Sequence, residues 1–422
     1  MIETQVQQEI TKGQGYCRFC GAELHRTFVD LGMSPLCESY VSPEQLNQME
    51  RFYPLHVYVC ENCFLVQLLE YVSAEEIFTE YAYFSSYANT ILEHSKNYTR
   101  QMIQRFELNT NSRVIEVASN DGYLLQYFVE RNIPVLGIEP AANVARVAIE
   151  KGIPTLVEFL DVECARRLAG EGKSADLIIG NNVLSQVPNL NSFVEGLKIL
   201  LKPQGVITIE FPHVMNLIEK NLFDTIYHEH FSYFSFSTAE KIFAAHKLTL
   251  FDVEELSTHG GSLRIYARHT SDESKPVSEG VTEFKRREEQ AGITSMSYYS
   301  TFYEKVKETK RKLLDFLIDA RRQGKSITGY GAPGKGNTLL NYCGIRTDFI
   351  DYTVDRNPYK QGKFLPGTHI PIYSPEKINE TRPDYVLILP WNLKDEIMQQ
   401  MGFIREWGGQ FVVPIPELQV YP

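Results

Sequence analysis

The chain has 422 residues, 43% of them hydrophobic and 23% charged, with a net charge of −11. That length exceeds one ordinary core and predicts two or three domains, and 24 Tyr and 24 Phe supply enough apolar surface to exclude a largely disordered chain. The acidic balance argues against a nucleic-acid partner, because no basic excess is present to neutralise phosphates.

Met1 to Gly15 is polar and mixed in charge, without the basic-then-apolar pattern of a secretory signal. No uncharged apolar run approaches the length of a membrane span. A cytoplasmic monomer without membrane contact is expected. The seven Cys include two close pairs, which in that setting read as metal ligands rather than disulfides. Cys17-x2-Cys20 and Cys60-x2-Cys63 are two knuckles, each able to chelate from one turn, and together they predict a closed, structural tetrathiolate zinc site. Cys37, His25 and His56 read as bystanders, and Cys164 and Cys343 as core cysteines. The first module is expected over residues 1–75.

A helical stretch from about Ile91 to Phe106 leads into alternating strands and helices. Arg113–Ala118, Val135–Glu139, Asp176–Gly180 and Gly205–Glu210 read as strands, with helices at Leu124–Arg131 and Val144–Lys151. The alternation predicts a parallel, doubly wound sheet, in a domain expected over residues 76–270. Glu116, Ser119, Asn120, Asp121 and Gly122 lie in a strand, small-residue turn and helix start where backbone can approach a ligand closely. Glu139, followed by Pro140, ends the next strand, where a carboxylate can hold both ribose hydroxyls. Asn181 ends a third. An acid in that place also fits a nicotinamide enzyme, but the turn lacks the GxGxxG set that seats a diphosphate. S-adenosylmethionine has no phosphate and suits it better.

Tyr227-His228-Glu229-His230 is the densest cluster of titratable side chains. In an extended segment His228 and His230 share a face; in a helix Tyr227 and His230 come together. A general base ranks first, a structural role second and a metal site last.

Ser271–Gly292 is charge-rich and is expected to cross the surface between domains. A helix over about Tyr298–Gln323 then opens a second α/β series, expected over residues 271–422, with strands at Ser326–Tyr330, Asp351–Val354, Tyr385–Leu389 and Gln410–Val413. Gly329 to Gly336 superficially matches a dinucleotide fingerprint, with Asp355 ending the next strand, and also GxxxxGK, though Gly336 replaces the Ser or Thr of a P-loop. Lys335 and the helix start could face a diphosphate; the alternative is a tight turn that binds nothing.

Taken together these strings resemble the sugar C-methyltransferase family that builds branched deoxysugars. The resemblance runs from Cys17 to about Pro416 and is carried by the Cys pairs, Tyr81-Ala-Tyr83-Phe84-Ser85-Ser86, Glu116 to Gly122, Ile226 to Ser235 and Gly329 to Leu340. It continues through Val354 to Pro358, Pro366 to Pro371 and Leu389 to Asn392. It implies a zinc-binding module, a central class I S-adenosylmethionine methyltransferase domain and a C-terminal Rossmann-like domain that binds no nicotinamide. The implied substrate is an NDP-linked (dTDP or similar) 4-keto-6-deoxyhexose, methylated at C3 or C5, with Tyr330, Lys335 and Asn337 on the substrate side. His230 and Tyr227 fall on the residues the family uses at the reacting carbon, with Glu229 beside them, and Tyr81 or Tyr83 matches a further active-site tyrosine. In two places the chain departs from the pattern. Gln186 stands where the family commonly has histidine, in Asn182 to Leu190, and is expected to position substrate without titrating. Ala118 stands where the family usually has Gly.

Overall fold

The computed structural model describes residues 15–78, 84–87 and 89–422. Three sheets organise them. Strands β1 (Arg26–Ser34), β2 (Tyr53–Val59) and β3 (Val66–Leu68) form an N-terminal antiparallel sheet. The central sheet contains β4 (Val114–Val117), β5 (Val135–Ile138), β6 (Thr155–Leu156), β7 (Ala175–Asn181) and β8 (Leu201–Pro212). Strand β9 (Ser232–Tyr233) leaves that region and pairs with β3, completing the first sheet in the order β1-β2-β3-β9. Strands β10 (Leu248–Leu256) and β11 (Ser262–His269) return to the central sheet, whose order is β10-β11-β8-β7-β4-β5-β6. Its β8-to-β6 half is parallel and its β10-β11-β8 edge antiparallel.

The third sheet holds β12 (Ile327–Tyr330), β13 (Thr353–Val354), β14 (Ile372–Tyr373), β15 (Tyr385–Ile388), β16 (Gln410–Val413) and β17 (Gln419–Tyr421) in the order β14-β13-β12-β15-β16-β17. All its pairs are parallel except β16–β17. Strands β4, β12 and β15 are short and almost wholly apolar because helices cover both faces of a parallel sheet.

Ser271–Gly292 differs from its expected surface path. Glu279–Ala291 is a helix, capped by Ser278 accepting from Val281 N and closed by left-handed Gly292. It buries Val281, Phe284 and Glu288 on one face, and its other charged residues line the opposite face. The long helix that follows is Phe302–Arg322, preceded by the short helix Met296–Ser300.

The N-terminal sheet is packed on both sides by other regions. Phe28 of β1 stacks on Phe302 with ring centroids 4.6 Å apart, joining its core to that of the C-terminal sheet. Cys17, Cys60 and Leu65 pack instead with Phe234, Phe236 and Phe243 of the central region. No helix among the described residues is long and apolar enough to cross a membrane.

Candidate active site and zinc centre

Cys17, Cys20, Cys60 and Cys63 converge with their sulfur atoms all within 4.8 Å of one another. Cys17 Sγ lies 3.5 Å from Cys63 Sγ, and Cys20 Sγ 3.5 Å from Cys60 Sγ. Zinc–sulfur bonds of ~2.3 Å in a tetrahedron place sulfurs about 3.8 Å apart, so the donor set fits one zinc ion with no position left for water. The buried Gln67 amide donates to Cys17 Sγ at 3.1 Å, a contact that steadies a thiolate. His25 and His56 are engaged elsewhere, with Glu23 and Thr27 respectively.

The turn after β4 runs through two left-handed residues, Ala118 (φ 57°) and Asn120 (φ 50°), before Gly122 (φ 76°). At that φ a side chain would be strained, and a Cβ on Gly122 would also stand 2.3 Å from Ile153 Cδ1, so glycine suits this position. Glu139, buried just past β5, accepts from Asn120 N through Oε2 and from Ala141 N through Oε1, both at 2.9 Å, and so pins the turn to the next strand. Pro140, between Glu139 and Ala141, is half-buried. Burial raises the Glu139 pKa, opposed by those two amides. Glu116 is 1% exposed, and burial lifts its carboxyl well above the usual range, opposed by the Tyr123 hydroxyl. Asp121 Oδ2 accepts from Ser86 Oγ and from Lys151 Nζ at 3.3 Å. Around this edge Ser119 Oγ, Asp121 Oδ1, Asn181 Oδ1 and Asn182 Oδ1 are buried with no hydrogen-bond partner among the described residues. Four unspent acceptors at the carboxyl ends of β4 and β7 suit a ligand rich in hydroxyl and ammonium donors.

Tyr227–His230 is a tight turn, with His230 N donating to Tyr227 O at 2.9 Å. The turn gives the helix-like juxtaposition: Tyr227 and His230 rings lie 4.2 Å apart, while His228 turns away to Pro54 O at 3.2 Å. His230 Nδ1 donates to Thr225 O at 2.9 Å, which fixes the tautomer and leaves Nε2 as a lone-pair acceptor. Burial pulls the His230 pKa down to about 4, and the Lys335 ammonium adds to that. Tyr227 is held protonated, its pKa pushed well above the usual phenol value by its surroundings and by Glu229. Phe231 N donates to Ser185 O at 2.7 Å, tying this segment to the 3-10 turn Leu184–Gln186 after β7. Gln186 is half-buried in that turn. Glu229 receives the Cys37 thiol at 3.4 Å.

The C-terminal fingerprint is filled by the protein itself. Tyr40 OH donates to Ala332 O at 2.6 Å, and Lys360 Nζ donates to the same oxygen at 2.9 Å while sitting 3.6 Å from Glu38 Oε2. Asn337 Nδ2 donates to Cys37 O at 2.6 Å. A Cβ on Gly334 would meet Cys37 Sγ at 2.8 Å. The loop carrying Cys37, Glu38 and Tyr40 therefore packs against the start of the helix Gly334–Cys343, where a diphosphate would otherwise approach. Of the two readings of this turn, the packing favours one that the protein itself fills: Asn337, 2% exposed, donates Nδ2 to the Cys37 carbonyl, while its Oδ1 has no hydrogen-bond partner among the described residues. Lys335 leaves the turn in the other direction, donating to Asn392 Oδ1 at 2.7 Å with its ammonium 4.6 Å from the Trp391 ring centre. Trp391 Nε1 donates to Asp224 Oδ2 at 2.6 Å, just ahead of the Tyr227 turn. Tyr330 lies apart from these groups, lining a cavity of about 490 Å³ with Arg356, Gln361 and Ser374. Tyr81 and Tyr83 lie outside the described residues; the neighbouring Phe84 stacks on Tyr359 with centroids 5.8 Å apart.

His259 was not singled out by the sequence. It sits in the turn between β10 and β11, at φ 53°, with Nε2 3.2 Å from Asn182 Nδ2. A histidine followed by Gly260 and Gly261 between two strand-like runs was the available signal.

Three family models match the chain: a zinc binding domain over residues 17–78, a methyltransferase domain over 91–252 and the C-methyltransferase C-terminal domain over 257–416. The C-methyltransferase NovU of Streptomyces niveus is 33% identical over 413 residues, 98% of this chain and 98% of that protein. The chain belongs to the C-methyltransferase family. It is an S-adenosylmethionine-dependent C-methyltransferase with a class I Rossmann-like central domain and a zinc-binding N-terminal Cys cluster. Solved structures similar to part of the chain include the PH0226 protein of Pyrococcus horikoshii OT3, with 14% identity, a TM-score of 0.37 and coverage of 46% of this chain and 97% of that one. Another is the magnesium protoporphyrin IX methyltransferase of Synechocystis PCC 6803 with bound SAM, with 13% identity, a TM-score of 0.33 and coverage of 42% and 79%.

Proposed function

We propose that this C-methyltransferase acts on the carbon next to the ketone of an NDP-linked, dTDP or similar, 4-keto-6-deoxy sugar. The observation that carries the reading is His230: its Nδ1 is spent on Thr225 O, its Nε2 is free of that bond, the Tyr227 ring lies against it, and the Lys335 ammonium acts on it through its charge. A proton next to a ketone is only modestly acidic, and its removal needs a base together with donors for the enolate oxygen. Nε2 of His230 takes the proton, and the C–H electron pair moves into the enolate. The Tyr227 hydroxyl is a donor for that oxygen, and the positive charge of the Lys335 ammonium stabilises the negative charge that develops on it. Gln186 holds a sugar hydroxyl or carbonyl through its amide.

S-adenosylmethionine, when bound, supplies the methyl group. Glu139 is assigned to its ribose, and Glu116, Ser119, Asn120, Asp121, Gly122, Pro140 and Asn181 to the rest of its pocket. Support for the sugar comes from the motif resemblance, above all Ile226 to Ser235 and Gly329 to Leu340. Residues 1–75, 76–270 and 271–422 are read as the zinc module, the methyltransferase domain and the Rossmann-like domain on the nucleotide-sugar side. Incubation with a panel of dTDP-4-keto sugars and labelled methyl donor tests the reading. Label should enter one of them at carbon; label entering none of them contradicts it.

A further inference from the structure

We propose that His259 is a second catalytic histidine, one that donates its Nδ1–H to the substrate's carbonyl oxygen as that oxygen takes on enolate charge. The inference rests on the keto-sugar reading above and adds a residue to its site. Asn182, which follows β7 at the cofactor edge, directs its Nδ2 at His259 Nε2 across 3.2 Å. With the Asn182 amide in this orientation its N–H meets a bare Nε2, which places the imidazole proton on Nδ1. His259 is half-buried, and its Nδ1 makes no hydrogen bond among the described residues. His230 has the same tautomer but spends Nδ1 on Thr225 O and keeps Nε2. The two rings thus leave opposite groups unspent, a lone pair on one and an N–H on the other. Proton removal next to a ketone needs that combination. The hydrogen stays on Nδ1 throughout; only its bond to oxygen strengthens.

The backbone supports a placed side chain. His259 holds a left-handed conformation that β-carbon residues adopt at some cost. The turn is clamped on both sides. A Cβ on Gly260 would meet Leu222 Cδ1 and Trp391 at 2.7 Å, and one on Gly261 would meet Asn216 Nδ2 at 2.5 Å. Trp391 is also the ring under Lys335, so the turn is built against the substrate side of the site. The charged and titratable groups that act on the ring are Lys335, His230 and His94, which disfavour its protonation, and Glu210, which favours it. Glu210 is already held by Arg264 at 2.6 Å and His94 at 3.0 Å. Burial with these neighbours pulls His259 down to about 4, so it is a neutral donor at pH 7.

The test is deuterium exchange into dTDP-4-keto-6-deoxyglucose, and the other dTDP-4-keto sugars of the panel, by the intact zinc-loaded enzyme with S-adenosylhomocysteine in heavy water. His259→Ala should slow exchange about 10²–10³-fold with KM little changed. His259→Asn should recover part of the loss, because Asn tolerates the left-handed backbone and places an amide N–H near the position of Nδ1. Nitrogen-labelled histidine spectra of the parent, assigned by the loss of signal in His259→Asn, should show the Nδ1–H form. Normal exchange in His259→Ala, or an Nε2–H tautomer, overturns the donor role while leaving the keto-sugar reading intact. Absence of exchange by the parent on every sugar overturns both.

Discussion

The chain contains two strand–turn–helix units of the same design, one after β4 and one after β12. In each, a small-residue turn is latched by an acid that ends the next strand: Glu139 accepts from Asn120 N, and Asp355 accepts from Ala332 N at 2.7 Å. The first leaves Ser119 Oγ and Asp121 Oδ1 without partners among the described residues. The second is closed by Tyr40, Glu38, Lys360 and the Cys37 carbonyl. A fingerprint in sequence therefore reports a turn that brings backbone close to something. Whether that is a ligand or another part of the protein depends on residues 300 positions away, as with Asn337 and Cys37.

Zinc removal should separate the two units most strongly, because the plug belongs to the zinc-stapled module. Structural zinc contributes about 10 kcal/mol or more to folding in small zinc modules. Cys60→Ser should lose its metal by elemental analysis and show a much lower unfolding midpoint. Full zinc retention would end the assignment of these four ligands.

His230→Ala should slow deuterium exchange roughly 10²–10⁴-fold. Burial lowers the His230 pKa, so its base form persists down to about pH 4 in the free enzyme. Exchange by the parent should therefore not fall through the ordinary histidine range near ~6.5. Gln186→His should add a titration in that range if the side chain faces the reacting sugar; a profile identical to the parent would remove Gln186 from the reaction.

Glu139→Ala should weaken S-adenosylhomocysteine binding by about 1–3 kcal/mol, for a charge-assisted group lost from a buried edge. An unchanged calorimetric affinity would take Glu139 out of the cofactor site. The smallest effect is expected at the plugged turn. Tyr40→Phe removes one hydrogen bond and should cost about 0.5–1.5 kcal/mol in denaturant unfolding with cofactor affinity unchanged.

Much of the central sheet was legible because its strands are apolar runs flanked by turn residues, and periodicity reports burial directly. The zinc knuckles were legible because both halves of each chelate lie three residues apart. What was hidden depended on distant pairing. Strand β9 is two residues long and exists because β3 offers an edge. The helix Glu279–Ala291 was concealed by its charges, although Glu288 is fully buried and accepts from His213 Nε2 and Phe236 N. His259 was hidden because a lone histidine in a hairpin acquires its tautomer only from Asn182, 77 residues earlier.

The comparison of the two turns is tested most directly by titrating the intact enzyme calorimetrically with S-adenosylhomocysteine and, separately, with NAD. One S-adenosylhomocysteine per chain, weakened in Glu139→Ala and unaffected in Tyr40→Phe, with no heat from NAD, is the expected result. Stoichiometric NAD binding that Glu139→Ala leaves intact would mean the C-terminal turn is open to a dinucleotide, and would contradict the account.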